Sequence, residues 1–330
     1  MSKKIAVGII GAGKISQMRH IPEYKNNEHA EILSLCDTSL KRAKEVGRDH
    51  QIPHISTDYL DIINSKEIDA ISICTPNKEH WSIAVKALKA GKHVLVEKPI
   101  ATTIEECRDM FKMSNKYNRV IMVGHNQRLS PVHRRVKDLL AQEEIGDILQ
   151  FTTNFKHGGP NHWSVEGKDT WFFNKEMAGF GVIGDLGIHK IDLFQWLLSD
   201  EIKESSAFSS NSGQWEIDEN AVIILKMKKG VIGTISLSWR NPLQDHRTVI
   251  YGTKGTIIFG DSYFGIDILY NNGKQKHIEV EPYLRNDGLL NSGVVDQFIN
   301  EIKFNAKPVI SKKEIVNSLE HVIKLSRLFV

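Results

Sequence analysis

The stretch IAVGIIGAGKIS, residues 5–16, decides the fold. A mostly apolar run comes before a glycine-containing turn, and a segment with helical character follows the turn. An apolar run of this length is typical of a strand that is buried on both faces of a parallel sheet. A glycine turn that leads from such a strand into a helix predicts a strand–turn–helix unit, whose helix N-terminus can bind an anion.

The pattern around this stretch repeats along the first third of the chain. Short apolar runs alternate with segments of helical periodicity, and the connections between them are short. This alternation is typical of a doubly wound α/β domain of the Rossmann type, with a parallel sheet. We therefore predict a dinucleotide-binding domain over residues 1–124, with strands at 5–10, 30–36, 70–74, 93–98 and 120–124.

The turn GAGKIS, residues 11–16, has the spacing of a dinucleotide fingerprint. Gly11 permits a tight turn, and Gly13 lets the backbone approach a pyrophosphate. The third small position is Ser16 instead of Gly or Ala, a departure that still allows the helix to pack closely on the strand. The residues of this turn that we expect at the cofactor are Gly11, Gly13, Lys14 and Ile15.

Asp37 ends the second predicted strand, about 20 residues after the turn, as the fingerprint requires. A carboxylate at this place accepts hydrogen bonds from a ribose 2′-hydroxyl and repels a 2′-phosphate. NAD is therefore favoured over NADP. Lys41 and Arg42 are close in the sequence, and their positive charge keeps NADP as an alternative.

The second part of the chain, residues 125–330, has a different pattern. Runs of alternating apolar and polar residues are joined by short turns such as Lys-Lys-Gly and Asn-Asn-Gly, which indicate antiparallel hairpins. Helical patterns occur at 131–141, after Asp185, at 293–305 and at 312–328. We predict an α+β substrate and oligomerisation domain that is built on an open, mainly antiparallel sheet.

The overall composition restricts the partners and the compartment. The 330 residues carry a net charge of +3 without a long basic tract, so we expect no nucleic-acid or membrane partner. Three widely separated cysteines argue against a disulfide framework and favour the reducing cytoplasm. The first apolar run is short and contains glycines, unlike a signal peptide, and no run is long enough to cross a bilayer.

Three further motifs follow the glycine turn: TPNKEH (75–80), EKP (97–99) and DLGIHKID (185–192). Together with GAGKIS and Asp37, they make the chain resemble the glucose–fructose oxidoreductase/inositol dehydrogenase/rhizopine-catabolism (Gfo/Idh/MocA) family over essentially its whole length. The resemblance implies an NAD(P)-dependent oxidoreductase that acts on a sugar, cyclitol or related polyol. It also raises the expectation of a cis peptide bond before Pro99.

The resemblance further implies roles for particular side chains. Lys98 and His189 are implied to face the substrate beside the nicotinamide, with Asp185 as a substrate-binding partner. Residues implied to contact the cofactor, besides Lys98, are Thr75, Pro76, Asn77, His80 and Glu97. On chemical grounds a histidine suits the task of general base, because its ordinary pKa lies near neutral pH. A lysine ammonium can stabilise the developing alkoxide.

The motif DLGIHKID has other interpretations when it is considered alone. We expect Asp185 to cap or nearly cap the helix that follows, which does not exclude substrate contact. His189 could be a satisfied core histidine, and Asp192 is expected to be structural. Asp185 and His189 could supply two metal ligands, but no third ligand has a supporting spacing, so we expect no metal.

The irregular segment at 156–173 is expected to line the substrate site, because long loops in compact domains are often functional. The candidates are His157, His162, Trp163, Trp171 and, from the preceding motif GHNQR, Arg128, with Tyr283 as a further one. The tryptophans could equally be core or interface residues. An apolar face of the open sheet is expected to form a homodimer or homotetramer.

The leading hypothesis is an NAD-dependent dehydrogenase in which Lys98 and His189 act on the reacting hydroxyl group. Two alternatives stay open. One is an NAD-dependent glycosidase of the same family, which oxidises, eliminates and re-reduces its substrate with a tightly held cofactor. The other is a regulator that senses a dinucleotide without turnover.

Overall fold

In the computed structural model, which describes residues 3–262 and 264–327, the opening strand lies within a six-stranded parallel sheet. The strands are β1 (Ile5–Ile10), β2 (Ala30–Cys36), β3 (His54–Ser56), β4 (Ala70–Ile73), β5 (His93–Val96) and β6 (Ile121–Val123). They pair in the order β3-β2-β1-β4-β5-β6, which is the Rossmann order with its switch point between β1 and β4. The predicted doubly wound α/β fold is confirmed.

Helices connect these strands: α1 (Ile21–Asn26), α2 (Leu40–Asp49), α3 (Tyr59–Asn64), α4 (His80–Lys89) and α5 (Ile104–Tyr117). A π-helical turn, Ser16–His20, runs directly into α1, and the Ile21 amide donates to the carbonyl of Ser16. Such a turn is wider than an α-helical one and is frequent at functional sites. At α5, Thr103 and Glu106 form a capping box that sets the start of the helix.

A second sheet has eight strands: β7 (Ile148–Lys156), β8 (Ile202–Ser210), β9 (Asn220–Met227), β10 (Ile232–Ser238), β11 (Thr248–Gly252), β12 (Gly255–Phe259), β13 (Gly265–Tyr270) and β14 (Gln275–Glu279). Their order is β14-β13-β12-β11-β7-β10-β9-β8. All neighbours are antiparallel except β7 and β10. The predicted open, mainly antiparallel sheet is confirmed.

The helices α6 (Pro131–Ala141), α7 (Lys175–Ala178) and α8 (Ile188–Leu198) follow in the chain. A second π-helical turn, Ile183–Gly187, leads into α8. Phe151 of β7 and Phe194 of α8 stack with ring centroids 3.6 Å apart, which fixes the helix against the sheet. Outward-pointing side chains of β9 are exposed, among them Val222 and Ile224.

Two helices close the chain, α9 (Val294–Phe304) and α10 (Lys312–Ser326); residue 328, where the second was predicted to end, lies outside the described residues. The chain forms two compact units. One comprises residues up to 126 with 176–178 and 284–316, and the other comprises 127–175, 179–283 and the residues from 317 onward. Within the described ranges, no helix has both the length and the apolar character needed to cross a membrane.

Candidate functional site

The glycine turn lies where β1 ends, in the first unit. Gly11 adopts a φ of +99°, and a Cβ there would lie 2.4 Å from the carbonyl oxygen of Cys74, so only glycine fits. Gly13, in contrast, has open space where a Cβ would lie. Among the described residues, no heavy atom beyond its chain neighbours comes within 4 Å of the position of a Cβ. The backbone of Gly13 is therefore open to the approach of a ligand.

Asp37 is nearly buried and holds this turn in place. Its Oδ2 accepts a hydrogen bond of 2.8 Å from the amide of Ala12, and its Oδ1 accepts one of 2.8 Å from the amide of Ser39. The guanidinium of Arg42 lies 3.6 Å from Oδ2. A carboxylate has about four acceptor sites, so Asp37 keeps capacity for a ribose hydroxyl. Arg42 stands beside it, as the sequence suggested.

Two buried hydroxyl oxygens near the turn, Ser16 Oγ and Thr75 Oγ1, have no hydrogen-bond partner within residues 3–262 and 264–327. Ser16 begins the π-helical turn, and the amide nitrogen of Thr75 lies 3.2 Å from the Cβ position of Gly11. Buried hydroxyls are normally satisfied. Together with the open backbone at Gly13 and a helix N-terminus, they fit a dinucleotide whose phosphate and ribose oxygens would accept from them.

The loop after β4 is fastened by His80, which is fully buried. Its Nδ1 lies 2.8 Å from the carbonyl oxygen of Pro99, and its Nε2 lies 3.0 Å from that of Thr75. Burial lowers the pKa of His80, so the neutral ring donates to one of the two carbonyls. The expectation that His80 contacts the cofactor is thus corrected: its ring is enclosed by two backbone segments and positions both.

Asn77 in the same loop donates from Nδ2 to the carbonyl of Ala178 at 2.8 Å. The next residue, Lys78, forms an ion pair with Glu176. These two contacts attach the short segment 176–178 to the loop. Thr75 and Pro76 are half-buried in the same place.

Glu97 directly follows β5 and forms a buried pair with His20. The sequence analysis missed His20. Oε1 of Glu97 lies 2.9 Å from Nε2 of His20, and the other ring nitrogen lies 3.2 Å from Oγ of Ser72. Burial opposes charge on both groups, but the Cys74 thiol and the carboxylate raise the pKa of His20 above its usual value. In turn, His20 holds the pKa of Glu97 at about 2 in spite of its burial. The pair is therefore an imidazolium and a carboxylate.

Lys98 follows directly and is half-buried. Its amide donates to Oε2 of Glu97 at 3.2 Å, and the Lys98–Pro99 peptide bond is cis, as expected. The buried pair thus holds the backbone from which the Lys98 side chain projects. A histidine close to the glycine turn, in MRHIPEY, was the one local signal for this arrangement.

In the second unit, the π-helical turn Ile183–Gly187 is capped by Asp218, not by Asp185. The Asp218 carboxylate accepts from the amides of Gly181 at 3.2 Å and Ile183 at 2.8 Å. Asp185 lies inside the turn, and its amide donates to the carbonyl of Gly181. The expectation that Asp185 caps the helix was wrong, because a residue distant in sequence satisfies the free amides.

The side chain of Asp185 faces Trp239, whose Nε1 donates to Oδ2 at 3.2 Å. His189 is also nearly buried, and its ring centroid lies 5.9 Å from that of Phe155. Asp185 therefore lies against Trp239, and His189 lies against Phe155. Trp239 and Phe155 are partners that the sequence did not reveal, because they come from other strands.

Arg128 and Asp192 form a bidentate ion pair at the centre of the second unit. Nε and Nη2 of Arg128 donate to the two carboxylate oxygens, each at 2.8 Å, and both residues are only 1% exposed. The predicted structural role of Asp192 agrees with this contact. The prediction that Arg128 binds substrate is corrected, because its guanidinium is buried and directed at Asp192.

The aromatic side chains of the irregular segment pack on one another. Trp163 meets Phe172 edge to face with centroids 5.0 Å apart, and Trp171 stacks on Phe172 at 3.9 Å. His157 lies at the start of this segment, and its Nδ1 accepts from the amide of Gly159 at 2.9 Å. Trp163 and His157 are half-buried, so their predicted contact with substrate stays a prediction.

No group of three or more His, Cys, Asp or Glu side chains in residues 3–262 and 264–327 has an arrangement that could hold a metal ion. The residues that fit a ligand are instead those around the glycine turn. They are backbone amides, hydroxyls and a carboxylate, which is the donor and acceptor set that a dinucleotide requires.

Two family models match the chain. Residues 5–125 match the oxidoreductase family model with an NAD-binding Rossmann fold, GFO_IDH_MocA. Residues 133–258 match the GFO/IDH/MocA C-terminal domain. The first unit therefore contains an NAD-binding domain.

Curated relatives and solved structures agree with these matches. An uncharacterized oxidoreductase of Bacillus subtilis is 29% identical over 264 residues, which cover 78% of this chain and 74% of the relative. Myo-inositol 2-dehydrogenase of Thermotoga maritima is 25% identical over 265 residues, covering 78% and 75%. The solved structure of a levoglucosan dehydrogenase with NADH and levoglucosan has a TM-score of 0.85 at 21% identity, covering 99% of this chain and 98% of that one.

Proposed function

We propose, for a chain that belongs to the GFO/IDH/MocA family of NAD-dependent oxidoreductases acting on sugars and polyols, a reaction at one hydroxyl group of such a substrate. Lys98 and His189 are the residues that act on this hydroxyl. A relative that is named for myo-inositol supports a cyclitol or sugar as the substrate class. Asp37 favours NAD, and the nearby Arg42 leaves NADP as a second cofactor to test.

In the proposed reaction, a secondary alcohol loses a hydride from its carbon and a proton from its hydroxyl group. When bound, NAD supplies the acceptor for the hydride that leaves the carbon. His189 takes the hydroxyl proton as general base. The Lys98 ammonium donates to the same oxygen and stabilises negative charge while the C–H bond breaks. Asp185 binds a second hydroxyl of the substrate, and the indole of Trp239 keeps its carboxylate oriented.

The observation that supports this proposal is that buried polar partners hold the backbone at Lys98 and at the turn before His189. Glu97, paired with His20, holds the amide of Lys98. Asp218 holds the start of the turn that leads to His189. Groups that must be placed accurately for a proton transfer are usually supported in this way.

The test is a panel of sugars and cyclitols with NAD and with NADP, followed by the absorbance of the reduced cofactor. The variants His189→Asn and Lys98→Met should lower kcat/KM by about 100-fold or more, the usual size of a lost acid–base group, and leave NAD binding unchanged. Exposed residues of the same types offer matched controls, His54→Asn and Lys89→Met, which should keep full activity. Full activity in His189→Asn and in Lys98→Met would contradict the assignment.

A self-associated state through the C-terminal sheet is also part of the proposal. The open face of this sheet exposes apolar side chains, among them Phe208, which is 82% exposed, Val222 and Ile224. Contiguous apolar surface of this kind marks an interaction site. Light scattering should give a dimer or tetramer for the native chain and a smaller species for Ile224→Glu. A monomeric native chain would contradict this part.

A further inference from the structure

Lys190, the neighbour of His189 in α8, is a lysine in an unusual position. It is only 3% exposed, although lysine is among the residues least often buried. Within residues 3–262 and 264–327, its ammonium has neither a hydrogen-bond acceptor nor a carboxylate within ion-pair distance. The structure places its ammonium by the ring of Phe155, with Nζ 5.6 Å from the centroid, and within reach of the charge of Asp245. The charge of Lys190 also acts on the imidazoles of His133 and His246. A buried amine in such surroundings is costly unless a partner arrives.

The ring of Phe155 is the centre of a group of nitrogen-bearing side chains. Its centroid lies 5.0 Å from that of His246, 6.2 Å from that of His157 and 5.9 Å from that of His189. We refer to Phe155, His157, Lys190 and His246 as the Phe155 cluster. Because His189 and the amine of Lys190 approach the same ring, the cluster lies next to the proposed base.

The packing of α8 on β7 explains why these groups meet. Phe194 stacks on Phe151. Phe155 comes four residues after Phe151 on the strand, and Lys190 comes four residues before Phe194 on the helix. Residues four apart share a face of a helix, and also share a face of a strand. The same helix–strand contact therefore places Lys190 over Phe155.

Asp245 is the carboxylate whose charge acts on Lys190, and other groups occupy its oxygens. Oδ2 of Asp245 accepts from Asn154 Nδ2 at 2.7 Å and lies 3.7 Å from Nζ of Lys156. Its Oδ1 accepts from the amide of Arg247 at 3.2 Å. Asp245 thus offsets the charge of Lys190 from a distance without bonding to it. The positive charge of Lys190 is left for another anion.

We propose that the Phe155 cluster binds a carboxylate on the substrate, so that the sugar or polyol oxidised here is a sugar acid. This rests on the proposed function, whose reacting hydroxyl lies at His189. The Lys190 ammonium would donate to one carboxylate oxygen. Burial and the charge of Lys190 lower the pKa of His246, so its neutral imidazole would donate to the other oxygen. One cation with the neutral imidazole of His246 matches a single negative charge better than the double charge of a phosphate.

The experiment uses substrate pairs that differ in one group: glucose with glucuronate, galactose with galacturonate, and glucitol with gluconate. Glucose 6-phosphate tests the other anion. The native protein should oxidise at least one acid with a kcat/KM about 10- to 100-fold above its neutral counterpart, the size of a hydrogen bond to a charged group. A preference for the phosphate over the acids would overturn the choice of a carboxylate.

Variants assign the effect to Lys190. Lys190→Met should remove the preference for the acid through KM, whereas Lys190→Arg should retain part of the preference. Lys274→Met removes the same charge from an exposed turn and should change nothing. An unchanged preference in Lys190→Met would overturn the proposal.

Failure of this inference can be told from failure of the proposed function. If neutral sugars are oxidised and no acid is favoured, the proposed function stands and the carboxylate subsite falls. If no compound is turned over, calorimetric titration of glucuronate and galacturonate into the NADH-loaded protein still decides. Binding that Lys190→Met weakens at least tenfold supports the subsite, and equal or absent binding overturns it. Circular dichroism and NAD titration establish that the variant is folded.

Discussion

The variant Lys190→Met replaces a buried amine by an apolar side chain of similar length, and we expect it to be more stable than the native protein at neutral pH. Burial lowers the pKa of Lys190 from 10.5 to about 8, although Asp245 counteracts the effect. A shift of this size corresponds to about 3 kcal/mol between the charged and neutral forms. Since methionine has no charge to bury, the free energy of unfolding should rise by about 1–3 kcal/mol at pH 7.

The difference in unfolding free energy between the native protein and Lys190→Met should depend on pH. Below about pH 8 the amine is charged in both the folded and the unfolded chain, so the cost of burying the charge is complete. Between about pH 8 and 10.5 the unfolded chain binds the proton more tightly, so the native protein gains stability as the pH rises. The difference between native protein and variant should therefore be largest at pH 7 and small near pH 10.

The assay is urea denaturation followed by tryptophan fluorescence. Trp163, Trp171, Trp196, Trp215 and Trp239 all belong to the second unit, so the signal reports mainly on the unit that contains Lys190. The exposed Lys274→Met is the control and should stay within about 0.5 kcal/mol of the native value. A variant that is no more stable at pH 7, or a difference that does not shrink with rising pH, would refute the reasoning.

Three other predictions follow from contacts described above. Gly13→Ala should weaken NAD binding at least tenfold in a fluorescence titration and leave the melting temperature unchanged, because its methyl group would point into open space; an unchanged NAD affinity would contradict this. Asp192→Asn removes the charge that pairs with buried Arg128 and should cost about 3–5 kcal/mol in urea denaturation; a cost below about 1 kcal/mol would show that the pair contributes little. Trp239→Phe deletes the donor to Asp185 and should lower kcat/KM several-fold with normal NAD binding, and equal kinetics would remove Trp239 from the site.

The parts that could be predicted depend on local sequence. Glycine spacing, unbroken apolar runs and alternating runs reveal a turn, a parallel sheet and hairpins, and the structure contains all three. The strands that were missed have no such signal. The segment of β3 is three residues long and not buried, and that of β8, IKESSAFSS, is mostly polar and mostly exposed.

The residues that were missed or misjudged depend on partners far along the chain. His20 meets Glu97 across 77 residues, and Trp239 meets Asp185 across 54. Spacing alone cannot reveal such pairs, because only the assembled sheets bring them together. For the same reason, Arg128 looked available to a ligand until Asp192 was found beside it.

The π-helical turn Ile183–Gly187 has a consequence for how the chain tolerates changes of length. A π-turn is an α-helical turn with one residue inserted. The start of this segment is held by Asp218, and the body of α8 is held by the stacking of Phe194 on Phe151. Deletion of one residue from the turn would restore regular helical hydrogen bonds between these anchors and rotate the side chains inside the turn by about 100°. A shortened chain could therefore fold well and still present Asp185 in the wrong direction, so the number of residues here is as much a part of the site as their identity.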